Sequence, residues 1–251
     1  MPVLLIKVSL MPVVIGLVTL ATRRWGHTIG GLIGSMPWMA GPILLFFILE
    51  QGKAFGIQSI PGVLTGILSL IGFCLTYAAL SRRLPPAPTL LLAYLVYVGV
   101  ALVFNQLAMP LVPSYGLVIG CVLLALRFFP KARDTARPAR RLPYDIPLRM
   151  GVATGFVLAI TGLAQVLGPA WSGILTPFPI LTTILSVFAH YLQGSAAAIA
   201  TLRGLMIGLL GFTTFLFLQA FLLPHFPVAV AFGLALVVNG SINAVAGRIW
   251  R

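Results

Sequence analysis

Long apolar runs follow one another along almost the whole chain, and this feature limits the possible fold more than any other. A bilayer core of about 30 Å needs roughly 20 apolar helical residues per crossing, and each run is long enough to span it. The runs are continuous rather than alternating, which favours helices over the strands of a membrane β-barrel. Because only 8% of the residues are charged, whereas a soluble domain carries about 25%, the chain is predicted to be an integral membrane protein.

Charged residues and clusters of proline and glycine divide the apolar runs into nine predicted transmembrane helices. Their bounds are 3–21, 28–50, 59–80, 86–106, 110–129, 147–167, 171–192, 199–222 and 226–248. The first run is interpreted as a retained helix rather than a signal peptide, because Lys7 lies inside the run and not before it. The predicted fold class is therefore an all-α polytopic membrane protein.

Basic residues are distributed unevenly between the two sides of this nine-helix arrangement. Fourteen of the sixteen Lys and Arg residues fall on one side, whereas Lys7 and Lys53 fall on the other. Short cytoplasmic loops carry the excess of Lys and Arg, so the N-terminus is predicted outside and the C-terminus in the cytoplasm. The net charge of +13 is then a signal of topology, and nucleic acid is not a predicted partner, because binding it needs a soluble basic surface.

The chain resembles itself at an offset of 142 residues, where 26–66 aligns with 168–208 without gaps. Five glycine pairs coincide in this alignment, and Pro37 coincides with Pro179. Apolar helices share leucines by chance, but glycines and a proline in register indicate a duplicated unit.

The predicted domain organisation follows from this repeat. It comprises a four-helix repeat at 1–109, a linker transmembrane helix at 110–129, a basic cytoplasmic loop at 130–146 and a second four-helix repeat at 147–251. The single linker helix makes the second repeat begin on the opposite side of the membrane. The two repeats are therefore predicted to be inverted relative to each other, in a 4+1+4 arrangement.

Proline pairs occur near the middle of the second helix of each repeat, as Pro37 with Pro42 and Pro177 with Pro179. Proline removes a backbone donor and clashes with the preceding turn, so both helices are predicted to be broken at mid-membrane. Equivalent breaks in two inverted repeats indicate the substrate site of a secondary transporter, although packed kinks are the alternative. The predicted substrate-binding residues are Ser35, Pro37, Trp38, Thr176, Pro179, Thr182 and Thr183.

Two ionisable residues at the ends of the broken helices are candidates for coupling or proton relay. Glu50 ends the second predicted helix, and an acidic residue within a membrane is a functional candidate. An ion pair with Lys53 at the interface is the alternative. His190 ends the seventh predicted helix, where a hydrogen bond to a neighbouring helix is the alternative to a relay.

Three segments of the second repeat resemble the GlpM family of small bacterial inner-membrane proteins. They are 174–179, 189–191 and 200–203, which read ILTPFP, AHY and ATLR. The first repeat resembles the family more loosely, through 5–7, 31–33 and Pro37. The resemblance implies two GlpM-type units joined by an extra helix, in a multi-pass protein of the bacterial cytoplasmic membrane. It implies no particular activity.

Two functions remain open at this point. The first is a secondary-transporter-like carrier, for which the opened helix N-termini favour an anionic or amphipathic substrate such as a phosphate-bearing lipid. The second is a membrane scaffold or regulatory subunit of an envelope complex. Because the sequence has no metalloprotease or nucleophile-elbow motif and no pair of intramembrane acids, neither an enzyme nor a metal or cofactor site is predicted. The expected partners are the bilayer, a small-molecule or lipid substrate and, as an open alternative, a second copy in a homodimer.

Overall fold

The computed structural model describes residues 26–107, 109–130 and 144–250, together with nine single residues between positions 9 and 25. The regular structure of these residues is helical, with no strand among them. Most of the predicted first transmembrane helix and most of the predicted basic loop lie outside the described residues.

Ten helices are assigned within the described ranges. They are α1 His27–Gly34, α2 Ala40–Gln51, α3 Lys53–Leu80, α4 Pro86–Gln106, α5 Leu111–Phe128, α6 Asp145–Gly162, α7 Ala164–Leu175, α8 Ile180–Gln193, α9 Ser195–His225 and α10 Val228–Trp250. A non-helical residue, Gly168, kinks α7 near its start.

Six helical segments in the described part of the chain are long and apolar enough to cross a membrane. They are α3, α4, α5, the segment Val166–Gln193, α9 and α10. The prediction of a helical, multi-pass membrane protein is confirmed at this level. The predicted second span is divided into the two short helices α1 and α2, and α6 is not among the six. Helix α3 begins at Lys53, six residues before the predicted start of its span, because Gly52 and not Pro61 separates it from α2.

Four glycines with positive φ form the joints between helices. Gly26 and Gly168 have φ values of 85° and 69°, and Gly52 and Gly194 have values of 91° and 92°. Side chains with a Cβ rarely adopt this backbone conformation, so glycine is required where the chain turns sharply from one helix into the next. Each pair is separated by the 142-residue offset, as are the starts of α3 and α9 and of α4 and α10.

Helices α3 and α9 form the centre of the bundle, and α4 and α10 lie at its periphery. About two thirds of the apolar window of α3 is buried, at 67%, compared with 22% in both α4 and α10. The outer faces of the peripheral helices are apolar, with Leu95 of α4 and Val237 of α10 more than half exposed. Apolar outer faces of this kind suit contact with lipid rather than water.

Close crossings between glycine-bearing helices connect the two halves of the chain. Helix α1 crosses α9 at Gly31 and Gly204, and α7 crosses α3 at Gly173 and Gly62. A Cβ added at any of these four glycines would overlap a backbone carbonyl oxygen of the opposite helix. These small residues therefore allow the helix backbones to pack closely.

Polar contacts define two ends of the helix bundle. At one end, Lys53 Nζ donates to the carbonyl oxygen of Leu223 at 3.0 Å, near the end of α9. At the other end, His27 Nε2 lies 2.9 Å from Gln193 Oε1, and His27 Nδ1 lies 3.2 Å from Thr201 Oγ1. The start of α1, the end of α8 and the first turns of α9 therefore lie together.

Candidate functional site

Both proline-containing segments interrupt a helix, as predicted from the sequence. The first interruption separates the end of α1 at Gly34 from the start of α2 at Ala40. The second separates the end of α7 at Leu175 from the start of α8 at Ile180. We refer to these segments, 35–39 and 176–179, as the first and second break.

The two breaks meet at a cavity of about 60 Å³ in the interior of the bundle. The first break contributes Ser35, Met36 and Met39, and the second contributes Thr176, Pro177 and Phe178. The remaining lining residues are Gly34, Ala40, Leu70, Cys74, Leu181, Thr182, Leu205, Leu209 and Phe212. A small-molecule site usually has a volume of about 300–1,000 Å³, so this cavity has room for a few water molecules and not for a substrate.

Three hydroxyl-bearing side chains give the cavity its polar side-chain atoms. Ser35 Oγ donates to the carbonyl oxygen of Leu32 at 2.6 Å, and Thr176 Oγ1 donates to that of Ser172 at 2.7 Å. Hydroxyl side chains in helices commonly bond to the preceding turn in this way. Because the hydroxyl protons are engaged, the oxygens of both residues offer lone pairs to the cavity. Thr182, in the first turn of α8, supplies the third hydroxyl.

The N-terminal ends of α2 and α8 also face this region. Ala40 and Leu181, in the first turns of the two helices, line the cavity. No side chain caps either helix N-terminus with a hydrogen bond. Several first-turn amides are already bonded: those of Gly41 and Ile43 donate to the carbonyl oxygens of Pro37 and Met39 at 2.9 and 3.0 Å, and that of Thr183 donates to the carbonyl oxygen of Pro179 at 2.7 Å. The helix dipole still favours negative charge at both N-termini. The cavity thus combines apolar walls, hydroxyl oxygens and two helix ends that attract anions.

Tyrosines of α4 cover the second break. The Tyr94 ring stacks on Phe178 at a centroid distance of 5.3 Å, and its hydroxyl is hydrogen-bonded to that of Thr183 at 2.8 Å. Tyr97 lies edge-on to Phe178 and donates to the carbonyl oxygen of Ile174 at 2.9 Å. The last carbonyls of α7 and the aromatic residue of the break are therefore held by a neighbouring helix.

The first break has a different environment on its outer side. Trp38 Nε1 donates to the carbonyl oxygen of Ile33 at 2.6 Å, which ties the indole back to α1. Two apolar grooves with volumes of about 310 and 240 Å³ lie beside the Trp38 ring. The first break is therefore bordered by these two grooves, whereas the second break is bordered by tyrosine rings.

The predicted substrate-binding residues divide into two groups in the structure. Ser35, Thr176 and Thr182 line the central cavity. Pro37 and Trp38 line the outer grooves instead. Pro179 is buried as the residue that precedes α8, and Thr183 is bonded to α4; neither is among the residues of the cavity wall.

The two ionisable candidates lie away from the cavity, at the far ends of α2 and α8. Each is ten residues beyond the start of its helix, a distance of about 15 Å at the usual helical rise. Glu50 is exposed at the end of α2. His190 is hydrogen-bonded through Nδ1 to the Tyr77 hydroxyl at 3.2 Å. This bond to α3 confirms the interhelical hydrogen bond that was the alternative to a relay for His190. Lys53, the residue suggested as the ion-pair partner of Glu50, donates to a carbonyl oxygen near the end of α9.

Sequence reasoning missed several residues that line the cavity. Cys74 is buried and lines the cavity from α3. Met36, Met39 and Phe178 lie within the breaks and were passed over because they are apolar. The position of Phe178 between two prolines was a usable signal, whereas the face of α3 that reaches the cavity depends on packing that the sequence does not reveal.

No group of three or more His, Cys, Asp and Glu side chains is placed to hold a metal ion in the described ranges. No protein-family model matches the chain, and no curated protein or solved structure is significantly similar to it. The proposals below therefore rest on the residues and on their arrangement.

Proposed function

We propose that the chain is a secondary-transporter-like membrane carrier whose substrate site lies at the two broken helices. The observation that carries the proposal is that breaks about 140 residues apart in the sequence meet at one cavity. Irregular backbone at membrane depth is tolerated where it lines a cavity or is buried in protein. Paired broken helices around a central site are the arrangement used by carriers built from inverted repeats.

The inverted 4+1+4 organisation is part of the same proposal. It is supported by the reciprocal helix crossings: α1 packs on α9 of the other half, and α7 packs on α3 in the corresponding way. It is also supported by the positive-φ glycines at the 142-residue offset. The distribution of basic residues orients the N-terminus outside and the C-terminus in the cytoplasm. With the resemblance to the GlpM family, it leads us to propose the bacterial cytoplasmic membrane as the location.

The cavity chemistry favours an anionic or amphipathic substrate. The dipoles of α2 and α8 favour negative charge at their N-termini, and the wall is mainly apolar. The hydroxyl oxygens of Ser35 and Thr176 would accept hydrogen bonds from donor groups of the same substrate. A volume of about 60 Å³ corresponds to a closed conformation of such a carrier. Transport then requires the two halves to move relative to each other, so that the cavity opens alternately to the two sides.

Thiol labelling of the cavity in reconstituted vesicles tests this function. Native Cys74 is the first reporter, in a Cys121→Ala background, and Ser35→Cys and Thr176→Cys are two further reporters with both native cysteines replaced by alanine. A carrier exposes all three positions to a small charged methanethiosulfonate reagent from either face of the membrane. Cys121 in a Cys74→Ala background is the matched control, because it lies on α5 and outside the cavity wall.

A membrane scaffold or regulatory subunit is the second candidate, and the small cavity favours it. The glycine crossings pack so tightly that no added Cβ is tolerated. A static bundle of this kind predicts that Cys74, Ser35→Cys and Thr176→Cys are unreactive from both faces. That result would reject the carrier proposal.

A further inference from the structure

We propose that the two grooves beside Trp38 form a binding site for an anionic phospholipid, which reaches the central cavity sideways through the first break. This inference rests on the proposed carrier function in that it names the substrate class, but lipid binding is measured without transport. The two proposals can therefore fail separately.

The first groove has a charged end and an apolar floor. It has a volume of about 310 Å³ and is lined by Leu17, Leu20, Ala21, Arg24, Trp25, Ile33 and Trp38. Arg24 lies above the exposed Trp25 ring, 6.0 Å from its centroid. An exposed Arg beside an exposed Trp is typical of the membrane interface, where a lipid phosphate lies. The charge at one end and the apolar wall along the rest match the two parts of an anionic phospholipid.

The second groove continues from the other side of Trp38. It has a volume of about 240 Å³ and is lined by Met36, Pro37, Trp38, Gly41, Pro42, Leu45, Phe215, Phe232 and Leu236. Trp38 is common to both grooves. A chain that starts at Arg24 and follows α1 covers about 12 Å at the helical rise before it reaches the break. The two grooves together therefore offer a path for an acyl chain from the interface to the middle of the membrane.

The equivalent place in the other half of the chain is filled. At the 142-residue offset, Leu236 corresponds to Tyr94, and Gly41 corresponds to Thr183. The Tyr94 ring stacks on Phe178, and its hydroxyl bonds Thr183. Leu236 and Gly41 are smaller and make no such bond, which leaves the groove open. Among the described residues, these two differences distinguish the surroundings of the first break from those of the second.

Met36 separates the groove from the central cavity. It lines both spaces and is half-buried between them. Methionine is unbranched and flexible, so its side chain can change rotamer without a change in the backbone. A lipid in the groove is therefore one side chain away from the hydroxyls and helix N-termini of the cavity.

Quenching of Trp38 fluorescence by brominated lipids tests the site. The protein carries Trp25→Phe, Trp171→Phe and Trp250→Phe, so that Trp38 is the remaining tryptophan, and it is reconstituted in phosphatidylcholine bilayers. Increasing fractions of phosphatidylglycerol or of phosphatidylcholine with brominated acyl chains are then compared. Both lipids carry a phosphate, but only that of phosphatidylcholine is neutralised by a choline group. We therefore expect phosphatidylglycerol to quench Trp38 at the lower fraction, with an apparent association constant about fivefold higher, as one arginine near an anionic lipid surface provides.

Two variants with a matched control assign the effect to the grooves. Arg24→Gln should remove the preference for phosphatidylglycerol, whereas Arg83→Gln, which removes an exposed arginine outside the grooves, should keep it. The double variant Gly41→Thr and Leu236→Tyr copies the residues of the filled half and should reduce quenching by both lipids. A Cβ at position 41 has room, since its nearest neighbour is Pro37 Cβ at 3.6 Å.

Two results in the Trp38 protein would overturn the proposal. Equal quenching by the two lipids in the Trp38 protein would show that the groove holds ordinary boundary lipid. Absence of quenching by either lipid would show that protein, including a second copy of this chain, covers the groove.

Discussion

The two breaks lie at the same offset in the chain but differ in what surrounds them. Around the second break, Tyr94 and Tyr97 of α4 make ring contacts with Phe178 and hydrogen bonds to α7 and α8. Around the first break, the corresponding positions of α10 carry Leu236 and Asn239. The second break is therefore supported by tyrosines of a neighbouring helix, whereas the first break is bordered by two apolar grooves.

This difference indicates how a duplicated unit can divide its tasks. A carrier with two identical broken helices would have two lateral openings and a weakly supported cavity. Filling one side with tyrosines fixes that half, because each aromatic contact and each buried hydrogen bond opposes movement. In the proposed carrier, the half without these tyrosines is the one that can move to admit a ligand. The predictions below compare matched positions of the two halves.

The largest expected effect comes from the glycine crossings, where the two halves should behave alike. Gly31→Ala and Gly173→Ala each place a Cβ against a backbone carbonyl oxygen, and we expect each to lower the free energy of unfolding by about 3 kcal/mol, the upper part of the range for overpacking. Unfolding by SDS in mixed micelles measures it. Gly99→Ala in α4 is the control, because open space surrounds that glycine. A lower free energy of unfolding in only one of the two variants would show that the two crossings are not equivalent.

The second-largest effect on the free energy of unfolding is expected to differ between the two halves. Tyr94→Leu gives the second break the residue of the first, and it removes both the stacking on Phe178 and the bond to Thr183. We expect a loss of about 2 kcal/mol, the sum of one aromatic pair and one hydrogen bond. The reverse change, Leu236→Tyr, enters the open groove and should cost little. Equal losses in the two variants, measured by the same SDS titration, would mean that the groove is not open.

Much of the fold could be predicted from the sequence, and the limits of the prediction are physical. The helix breaks follow from Pro37, Pro42, Pro177 and Pro179, since proline acts on its own turn. Gly52 was identified as one of the repeated glycines. Its role as a joint between helices depends on its positive φ angle of 91°, which cannot be read from the sequence.

The side chains that meet at the site were harder to predict. Ser35, Thr176 and Thr182 were found because they are polar and close to the breaks. Cys74 and the covering tyrosines were not, because they come from α3 and α4. Which helix packs on which break is decided by tertiary contacts between distant segments.

Smaller changes in stability, of opposite sign, are expected for substitutions at Tyr97 and Asn239, which are 142 residues apart. Tyr97→Phe leaves the carbonyl oxygen of Ile174 without its donor in a buried place and should cost about 1 kcal/mol. Asn239 is fully buried, and within the described part of the structure its side-chain amide has no hydrogen-bond partner. Asn239→Leu should therefore stabilise by about 1 kcal/mol, because it removes a desolvated polar group. Thermal unfolding in one detergent compares the pair, and destabilisation by Asn239→Leu would indicate a partner for the amide.

The smallest effect concerns the residue that follows each positive-φ glycine between α2 and α3 and between α8 and α9. Lys53 Nζ donates to the carbonyl oxygens of Leu223 and Phe226 at 3.0 and 3.1 Å, where the C-terminal end of α9 carries partial negative charge. We expect Lys53→Met to lower the free energy of unfolding by about 0.5 kcal/mol, with a smaller loss at high salt because the charge is near the surface. Ser195→Ala, at the equivalent position, should show no salt dependence. Equal salt dependence in the two variants would mean that the lysine charge does not act on the end of α9.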